Sequence, residues 1–237
     1  MRFYAKTHIG KVRKSNQDAY LIVPESKLMA VADGMGGHLA GDIASAMAID
    51  ILKEYVIKHQ GIPEEILFEA FNEANFRIYE KARTDSKYFN MGTTLTAAMI
   101  TDNRLVIGHV GDSRAYLLQE NEFFQLTNDH SFVGELLRNG NITSNEANSH
   151  PQKNMLVRAL GMSATVDVDI RLFEVEKGSK ILISSDGLTN MLLKEEIKEI
   201  LSTVEPQYAV EQLVEIALDR GGTDNITAVL GVVGGDA

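Results

Sequence analysis

The chain contains 237 residues, of which 44% are apolar and none is cysteine, and it carries a formal net charge of −10. This size is sufficient for a sizeable core, and one domain spanning residues 1–237 is a simpler interpretation than two small ones. The acidic balance argues against nucleic acid or anionic membranes as partners, and the lack of cysteine excludes disulfides, thiolate zinc sites and cysteine nucleophiles.

The N-terminal segment, MRFYAKTHIGKVRK, lacks the apolar stretch of a secretory signal. No apolar run elsewhere in the chain approaches the roughly 20 residues that are needed to span a bilayer. We therefore expect a cytoplasmic protein that acts as a monomer and does not bind membranes.

The first part of the chain predicts two strands followed by two helices. The runs AYLIVP and LMAVAD are short, apolar and bounded by turns, as adjacent strands are, with residues 24–27 as their connection. Across residues 39–56, apolar side chains recur at spacings of three and four, which predicts a long amphipathic helix. The same pattern predicts a second helix over about residues 63–83.

The later part of the chain is richer in strands. Residues 93–126 contain four short β-type runs separated by Asp-Asn, Gly-Asp and Glu-Asn turns, which predicts an antiparallel meander. Two strand-rich blocks, each accompanied by two helices, predict an α+β fold of two stacked sheets with helices on both outer faces. The remaining predicted elements are strands around 166–175, 180–186 and 226–233 and helices near 194–202 and 206–219.

Residues 131–154 have a different composition from their surroundings. A helical stretch, SFVGELLRNG, precedes a run that is rich in Asn and Ser and poor in apolar residues, which predicts a mobile surface lobe. Within this run, Thr143 and Glu146 have the spacing of a capping box and predict the start of one short helix.

Four aspartates stand at glycine-marked ends of apolar runs, and they are Asp33, Asp112, Asp186 and Asp224. Taken singly, each is better explained as a turn residue, because Asp and Gly are frequent in tight turns. Together, at one end of a sheet and with few cationic residues nearby in sequence, their mutual repulsion would destabilise the fold unless a cation were bound. The four carboxylates therefore predict a site for hard divalent cations.

A polar cluster, RKSNQD, precedes the first predicted strand and contains Arg13 and Asp18. The planar fork of donors on an arginine matches phosphate oxygens, and Asp18 adds a fifth candidate carboxylate. Taken alone, this cluster is equally well explained as an exposed loop.

This chain contains eight motifs whose order and spacing can be compared with known families. They closely resemble those of the metal-dependent protein phosphatases of the PPM (type 2C) family in its short bacterial form. The resemblance implies a four-layer α-β-β-α sandwich of two antiparallel sheets flanked by pairs of helices, with residues 131–154 as the family's small flap lobe. The motifs are RKSNQDAY, VADGMGGHLAGDIAS, MGTTLTAA, HVGDSRAY, LTNDHS, LVRALG, SSDGLTN and GGTDNITAV.

The resemblance also implies a site with Mn²⁺ or Mg²⁺ as cofactor. In this arrangement Asp33 bridges two core ions, the carbonyl of Gly34 binds the first ion, and Asp18 holds waters of the first ion. Asp186 and Asp224 complete the ligands of the second ion. Asp112 joins Asp186 as a ligand at a possible third, weaker metal site. Arg13 would grip the substrate phosphate. Asn225 is expected to be a local hydrogen-bonding residue.

The implied activity is hydrolysis of phosphoserine and phosphothreonine monoesters on phosphorylated proteins, by direct attack of a metal-bridging hydroxide. Such a protein serine/threonine phosphatase would oppose a bacterial Ser/Thr kinase. The general acid is where the sequence departs from eukaryotic members, which have a histidine at the position of Met35. His38 is the candidate acid, and the alternative is a metal-bound water with His38 serving at a helix N-terminus.

Two other classes of function stay open from the sequence. A non-catalytic phosphatase-like binding module would be expected to lack one or more ligands, and a metal-dependent nuclease would be expected to have a basic groove. His109 and His130 are interpreted as structural, because neither has a His or Cys partner at ligand spacing. Arg114 and Arg158 could bind substrate or form structural ion pairs, and they are not assigned to the site.

Overall fold

Two antiparallel sheets form the centre of the computed structural model, which describes residues 1–36, 40–84, 86–143, 146–147 and 150–234. The strands are β1 (Arg2–His8), β2 (Asp18–Val23), β3 (Leu28–Met35), β4 (Gly92–Thr93), β5 (Leu95–Thr101), β6 (Arg104–Val110), β7 (Arg114–Gln119), β8 (Glu122–Gln125), β9 (Asp169–Glu174), β10 (Lys180–Ser184) and β11 (Ile226–Val232). The five-stranded sheet has the order β1-β11-β10-β7-β8. The six-stranded sheet has the order β2-β3-β5-β6-β9, with the short β4 paired to β3.

A pair of helices covers the outer face of each sheet. The helices of the described residues are α1 (Ala40–Lys58), α2 (Pro63–Thr84), α3 (Phe132–Arg138), α4 (Asp186–Thr189), α5 (Lys194–Thr203) and α6 (Pro206–Asp219). The pair α1 and α2 packs on the six-stranded sheet, and the pair α5 and α6 packs on the five-stranded sheet. The predicted α-β-β-α sandwich is therefore confirmed. None of the helices within the described residues is long and apolar enough to cross a membrane.

The alternation of side chains along β3 explains why its sequence is continuously apolar. Successive residues of a strand point to opposite faces of a sheet, and both faces of this sheet are covered. Leu28 and Ala30 pack in the cluster that contains α1 and α2. Met29 and Val31 pack in the cluster between the two sheets. A third apolar cluster joins the five-stranded sheet to α5 and α6, so apolar contacts fill all three interfaces of the sandwich.

The predicted meander over residues 93–126 is wrong in one respect. β5 and β6 pair in the six-stranded sheet, whereas β7 and β8 lie in the five-stranded sheet. The chain crosses from one sheet to the other in the turn formed by residues 111–113. Each hairpin has an apolar face, and stacking the hairpins buries both faces, which a single flat meander would leave exposed.

Strand β1 was not predicted from the sequence. It pairs along its whole length with β11, from Arg2 opposite Val232 to His8 opposite Ile226. Charged and polar residues interrupt its apolar alternation, as is common in strands at the edge of a sheet, where one side of the backbone is unpaired. The remaining predicted strands and helices are present, with their ends shifted by a few residues.

The lobe over residues 131–154 begins as predicted. The Ser131 side chain accepts a hydrogen bond from the N–H of Gly134 at 3.1 Å and caps the N-terminus of α3. Thr143 and Glu146 form the predicted capping box, since the Glu146 carboxylate accepts from the Thr143 N–H at 2.8 Å. The predicted mobility of this lobe stays a prediction.

The cluster between the sheets should contribute strongly to stability. Ile183 is fully buried there, between Ala115 of β7 and Val229 of β11. We expect Ile183→Ala to lower the free energy of unfolding by about 2–5 kcal/mol, because it removes buried apolar contacts and leaves a cavity. Urea denaturation monitored by circular dichroism measures this change.

The matched control is Leu172→Ala on β9, where the side chain is 47% exposed. We expect this substitution to cost less than about 1 kcal/mol. Equal losses in the two variants would contradict the assignment of a tightly packed apolar cluster to the space between the sheets.

Candidate active site

A cleft of about 560 Å³ opens at one end of the sandwich and contains most of the predicted site. Its lining includes Arg13, Asp33, Gly34, Asp112, Asp186 and Asp224. Asp18 lies directly opposite Asp33 in the antiparallel pairing of β2 with β3. The structure thus brings together the predicted metal ligands and the predicted phosphate-binding residue. His38, the candidate acid, lies outside the described residues.

The carboxylates come from both sheets, and this corrects the expectation that they converge on one end of a single sheet. Asp33 lies near the end of β3 in the six-stranded sheet. Asp186 directly follows Ser184 and Ser185 after β10, and Asp224 precedes β11, in the five-stranded sheet. Asp112 lies in the turn that connects the sheets. The cleft is therefore formed by the joint between two packed sheets, and its geometry depends on their packing.

The backbone of Asp33 is held by threonines of the segment that enters β5. Its N–H donates to the Thr94 hydroxyl at 2.9 Å, and its carbonyl accepts from the Thr94 N–H at 2.9 Å and from the Thr93 hydroxyl at 2.9 Å. These bonds fix both peptide groups of residue 33. The direction of its carboxylate is therefore set by main-chain geometry as well as by side-chain packing.

Gly34 occupies a position where no larger residue fits. A Cβ atom there would lie 1.9 Å from the Gly41 carbonyl oxygen and 2.8 Å from the Gln17 carbonyl oxygen. Its N–H donates to the same Gln17 carbonyl at 3.0 Å. Glycine is required because three backbone segments meet within van der Waals distance. The predicted role of the Gly34 carbonyl as a ligand stays a prediction.

Each carboxylate of the five-stranded sheet has a hydrogen-bonding neighbour. The Asn190 side-chain amide donates to Asp186 Oδ2 at 3.0 Å. The Asp224 carboxylate accepts from the N–H of Asn225 at 2.8 Å and from Arg13 Nη2 at 2.6 Å. The contact between Arg13 and Asp224 joins the predicted phosphate-binding group directly to a predicted metal ligand.

Asn225 anchors the loop that carries Arg13. Its side-chain amide donates to the carbonyl oxygens of Ile9 at 2.9 Å and Ser15 at 3.0 Å, and its side-chain oxygen accepts from the Gln17 N–H at 2.8 Å. Asn225 is buried, so these bonds are shielded from competing water. The interpretation of Asn225 as a local hydrogen-bonding residue agrees with these contacts.

Four carboxylates of the site, those of Asp18, Asp33, Asp112 and Asp186, have raised pKa values. Burial is the largest cause in every case, and the neighbouring carboxylates add to it. The pKa of Asp18 is raised to about 7 and that of Asp112 to about 8. The pKa of Asp33 is raised well above its ordinary value, and that of Asp186 is raised as well. Several negative charges therefore oppose one another in a region that solvates them poorly.

This donor set fits hard divalent cations. Among the described residues, Asp18 Oδ1 is a buried oxygen without a hydrogen-bond partner, while its Oδ2 accepts from the Ser185 hydroxyl at 2.7 Å. All the candidate ligands are oxygens, which suits Mg²⁺ and Mn²⁺. Within the described ranges, no three His, Asp or Glu side chains form a group that could hold an ion by themselves. Mg²⁺ sites usually keep several bound waters, so side chains need not fill a coordination sphere alone.

Three residues that hold the carboxylates were not identified from the sequence, and they are Thr94, Ser185 and Asn190. Asn190 follows Asp186 by four residues, a helical spacing that could have indicated the contact. Ser185 bonds to Asp18 across a long sequence separation, and Thr94 reaches Asp33 between different strands. No local pattern reveals such contacts, because they depend on how the strands pair.

The residues that were left out of the site have structural partners. Arg114 forms an ion pair with Asp129 at 2.6 Å, and Arg158 donates to the Asp169 carboxylate at 2.8 Å. His109 and His130 are both buried and hydrogen-bonded. None of these four side chains lines the cleft, which agrees with the structural interpretation.

Comparison with known proteins gives a consistent result. The sequence pattern of the family described as protein phosphatase 2C matches residues 6–217. The chain is 40% identical over 234 residues to the serine/threonine phosphatase stp of Listeria innocua serovar 6a, covering 95% of this chain and 93% of that protein. The structure is similar to the Mycobacterium tuberculosis serine/threonine phosphatase PstP/Ppp, with a TM-score of 0.90, 38% identity and 97% coverage of both chains.

A second solved structure bears on the metal. The catalytic domain of the serine/threonine protein phosphatase PstP in complex with two manganese ions is similar to this chain with a TM-score of 0.88 and 36% identity, covering 97% of this chain and 96% of that one. The chain therefore belongs to the protein phosphatase 2C family. It is a serine/threonine phosphoprotein phosphatase, a hydrolase whose cofactor is Mn²⁺ or Mg²⁺.

The raised pKa values predict how stability depends on pH in EDTA. A carboxyl group with a raised pKa holds its proton more tightly in the folded state than in the unfolded state, so stability falls as pH rises through that range. Between about pH 6.5 and 8, Asp18 and Asp112 lose protons in the folded protein. We expect the free energy of unfolding to fall over this interval, and Mn²⁺ to stabilise the protein more at pH 8 than at pH 6.5.

The prediction is limited to pH values above 6.5 because, at lower pH, His109 makes the free energy of unfolding rise with pH. Its pKa is lowered to about 3, mainly by burial, so its contribution to stability rises with pH up to the ordinary histidine range. Chemical denaturation of wild type and Asp18→Asn measures the slope, which should be flatter in the variant. The exposed Asp219→Asn is the control and should keep the wild-type slope. A stability that rises with pH in EDTA would contradict the prediction.

Proposed function

We propose that this cleft hydrolyses phosphoserine and phosphothreonine monoesters through the carboxylates Asp18, Asp33, Asp112, Asp186 and Asp224, the Gly34 carbonyl and the Arg13 guanidinium. The observation that carries the proposal is that Asp33, Asp112, Asp186 and Asp224 line one cleft together with Arg13, with Asp18 paired opposite Asp33. Phosphorylated proteins are the substrates, and the family membership supports this assignment. The individual roles below extend the family's chemistry to the residues of this chain.

The proposed metal ligands are divided between the two sheets. Asp33, the Gly34 carbonyl and Asp18 would hold the first ion, Asp18 through water, while Asp33, Asp186 and Asp224 would hold the second. When bound, such ions would lower the pKa of a coordinated water and screen the charge of a phosphate. Asp112 and Asp186 would hold a third ion, which is supported by the fact that both line the cleft and that the Asp186 charge contributes to the raised pKa of Asp112.

Arg13 is proposed to bind the substrate phosphate. Its side chain is 51% exposed, and one of its nitrogens is held by Asp224. This hydrogen bond is the largest cause of the raised pKa of Arg13, so the guanidinium keeps its charge. The guanidinium has further donors that this contact does not use, and their planar arrangement matches two phosphate oxygens. Arg13 would thus orient the phosphate relative to the carboxylates.

The nucleophile is proposed to be water, attacking phosphorus directly and in line with the leaving oxygen. The chain contains no cysteine, so a thiol-bound phosphoenzyme cannot form. For the leaving oxygen, His38 and a metal-bound water stay alternative proton donors, since the residues around His38 are not described. The flap segment would influence access, because Asn154 near its end lines the cleft together with Leu156.

The cellular setting follows from the chemistry of the substrate. Phosphorylated serine and threonine are products of protein kinases, and we include in the proposal a bacterial Ser/Thr kinase as the opposing enzyme. The cytoplasmic location, the monomeric state and the single catalytic domain over residues 1–237 stay predictions from the sequence. The apolar clusters that connect all four layers support the single domain.

A metal ligand should be essential for turnover. We expect Asp224→Asn to lower phosphate release from a phosphothreonine peptide by on the order of 100-fold, because it weakens the second ion and removes the anionic partner of Arg13. The assay compares Mn²⁺, Mg²⁺ and excess EDTA, and EDTA should abolish release by the wild type.

Asp219→Asn provides a matched control for this substitution. Asp219 lies five residues earlier, its side chain is 85% exposed, and it does not line the cleft. This variant should keep wild-type activity. No phosphate release by a folded wild type with Mn²⁺ would favour the non-catalytic binding module, and cleavage of nucleic acid in the same buffer would favour the nuclease.

The two proton donors predict different results for His38→Ala. If His38 is the general acid, turnover of a phosphopeptide should fall by about 100-fold, whereas turnover of an aryl phosphate with a good leaving group should change little. The comparison of kcat for the two substrates is the measurement. Equal changes on both substrates would rule out the acid role of His38.

A further inference from the structure

His130 is hydrogen-bonded to both the carbonyl oxygen and the N–H of Gly111, in the turn that carries Asp112. The His130 N–H donates to the Gly111 carbonyl at 2.7 Å. The Gly111 N–H donates in return to His130 Nδ1 at 3.1 Å. Gly111 directly precedes Asp112, so these two bonds fix the main chain immediately before the carboxylate.

The turn itself has little freedom to adopt another position. Gly111 has a φ of +115°, and a Cβ atom there would lie 2.5 Å from the Thr94 side chain. At the other end of the turn, the Ser113 hydroxyl lies 2.8 Å from the hydroxyl of the same Thr94. Thr94 also binds the backbone of Asp33. The turn is therefore held between His130 on one side and Thr94 on the other.

The ring of His130 is also fixed on its far side. Nε2 lies 3.5 Å from the Asp169 carboxylate, which accepts from Arg158 at 2.8 Å. Nε2 also lies 3.1 Å from Arg158 Nη1, so the far end of the ring contacts both members of the Arg158–Asp169 ion pair. The His130 carbonyl accepts from the N–H of Val157, just beyond the flap segment, at 2.9 Å. The side chain is almost completely buried, at 4% exposure.

We propose that His130 is a positioning residue for Asp112, and that its two bonds to Gly111 hold the turn where the Asp112 carboxylate can bind the third ion. This inference rests on the proposed function, because it uses the assignment of Asp112 to that ion. The competing explanation is that His130 fills space, since its ring packs against that of His109 with 4.7 Å between the centroids.

Two substitutions test the roles of the two ring nitrogens of His130 separately. Asn can place a side-chain oxygen near the position of Nδ1, where it can accept the Gly111 N–H. Gln reaches further, towards the position of Nε2 and Asp169, and leaves the Gly111 N–H without its acceptor. We expect His130→Gln to weaken the third Mn²⁺ by about 10-fold, in the range found when residues that orient metal ligands are changed, and His130→Asn to keep most of the wild-type affinity.

The measurement is a titration of the full chain with Mn²⁺, followed by electron paramagnetic resonance of the free ion, which requires no turnover. Asp112→Asn serves as the reference for loss of the third ion. His109→Asn is the matched control, because His109 is a buried neighbour whose ring is hydrogen-bonded to Thr96 and not to Gly111. Thermal unfolding of each variant in EDTA reports its general stability.

The expected result is a weaker third ion in His130→Gln, with the two tighter ions unchanged and His109→Asn like the wild type. The inference is overturned by an unchanged third ion in a folded His130→Gln, by equal weakening of all ions, or by equal weakening in His109→Asn. If His130→Gln does not fold, weakening in the folded His130→Asn equal to that in Asp112→Asn also overturns it.

Failure of the inference can be distinguished from failure of the proposed function. A wild type that binds two ions tightly and no third one overturns the role of His130 but leaves the phosphatase site intact. A wild type that binds no Mn²⁺ and releases no phosphate from a phosphothreonine peptide overturns the proposed function itself.

Discussion

Repulsion among carboxylates that are held close together is the constraint on which the rest of this structure depends. Five aspartates lie at the joint between two sheets, and burial raises the pKa values of four of them. Such a cluster opposes folding unless protons or cations offset it. The apolar contacts in all three interfaces of the sandwich supply the opposing stability. The fold can therefore hold the carboxylates in place before an ion arrives.

The positions of the carboxylates are set largely by the backbone. Gly34 allows three segments to meet beside Asp33, and Gly111 allows the crossing between the sheets to pass close to Thr94. Asn225 fixes the loop that carries Arg13, because its side chain is hydrogen-bonded to two carbonyl oxygens and one N–H of the backbone. Backbone anchoring suits a site whose ions demand defined geometry, because main-chain positions vary less than the rotamers of exposed side chains.

The sequence predicted the elements whose signals are local. The continuous apolar run of β3 and the three- and four-residue spacing in α1 and α2 each reflect a surface that the element itself must bury. β1 has no such signal, because its polar residues are acceptable at a sheet edge and only its pairing with β11 defines it. The crossing after β6 was missed for the same reason, since choosing between two sheets is a question of tertiary packing.

The same distinction between local sequence signals and tertiary packing applies to the residues of the candidate site. The sequence revealed four of the carboxylates, because strand ends marked by glycine can be recognised from the order of residues alone. They are Asp33, Asp112, Asp186 and Asp224. Thr94 and Ser185 were not recognised in this way, because each acts on a residue of another strand that pairing alone brings near. Resemblance to a family supplied the roles of the ligands, and the geometry of the cleft could not have been obtained from spacing.

The charges in the cleft are distributed unequally, and this links the metal site to the phosphate site. Asp224 has Arg13 as an ionic partner at 2.6 Å, whereas within the described residues Asp18 and Asp33 form no ion pair with any cationic side chain. The negative charge that lacks a cationic partner is therefore greatest around Asp33, the carboxylate that is proposed to bind both core ions. An ion that takes over the charge of Asp224 would leave more of the Arg13 guanidinium available to a phosphate. Metal binding and substrate binding would then favour each other through this shared aspartate.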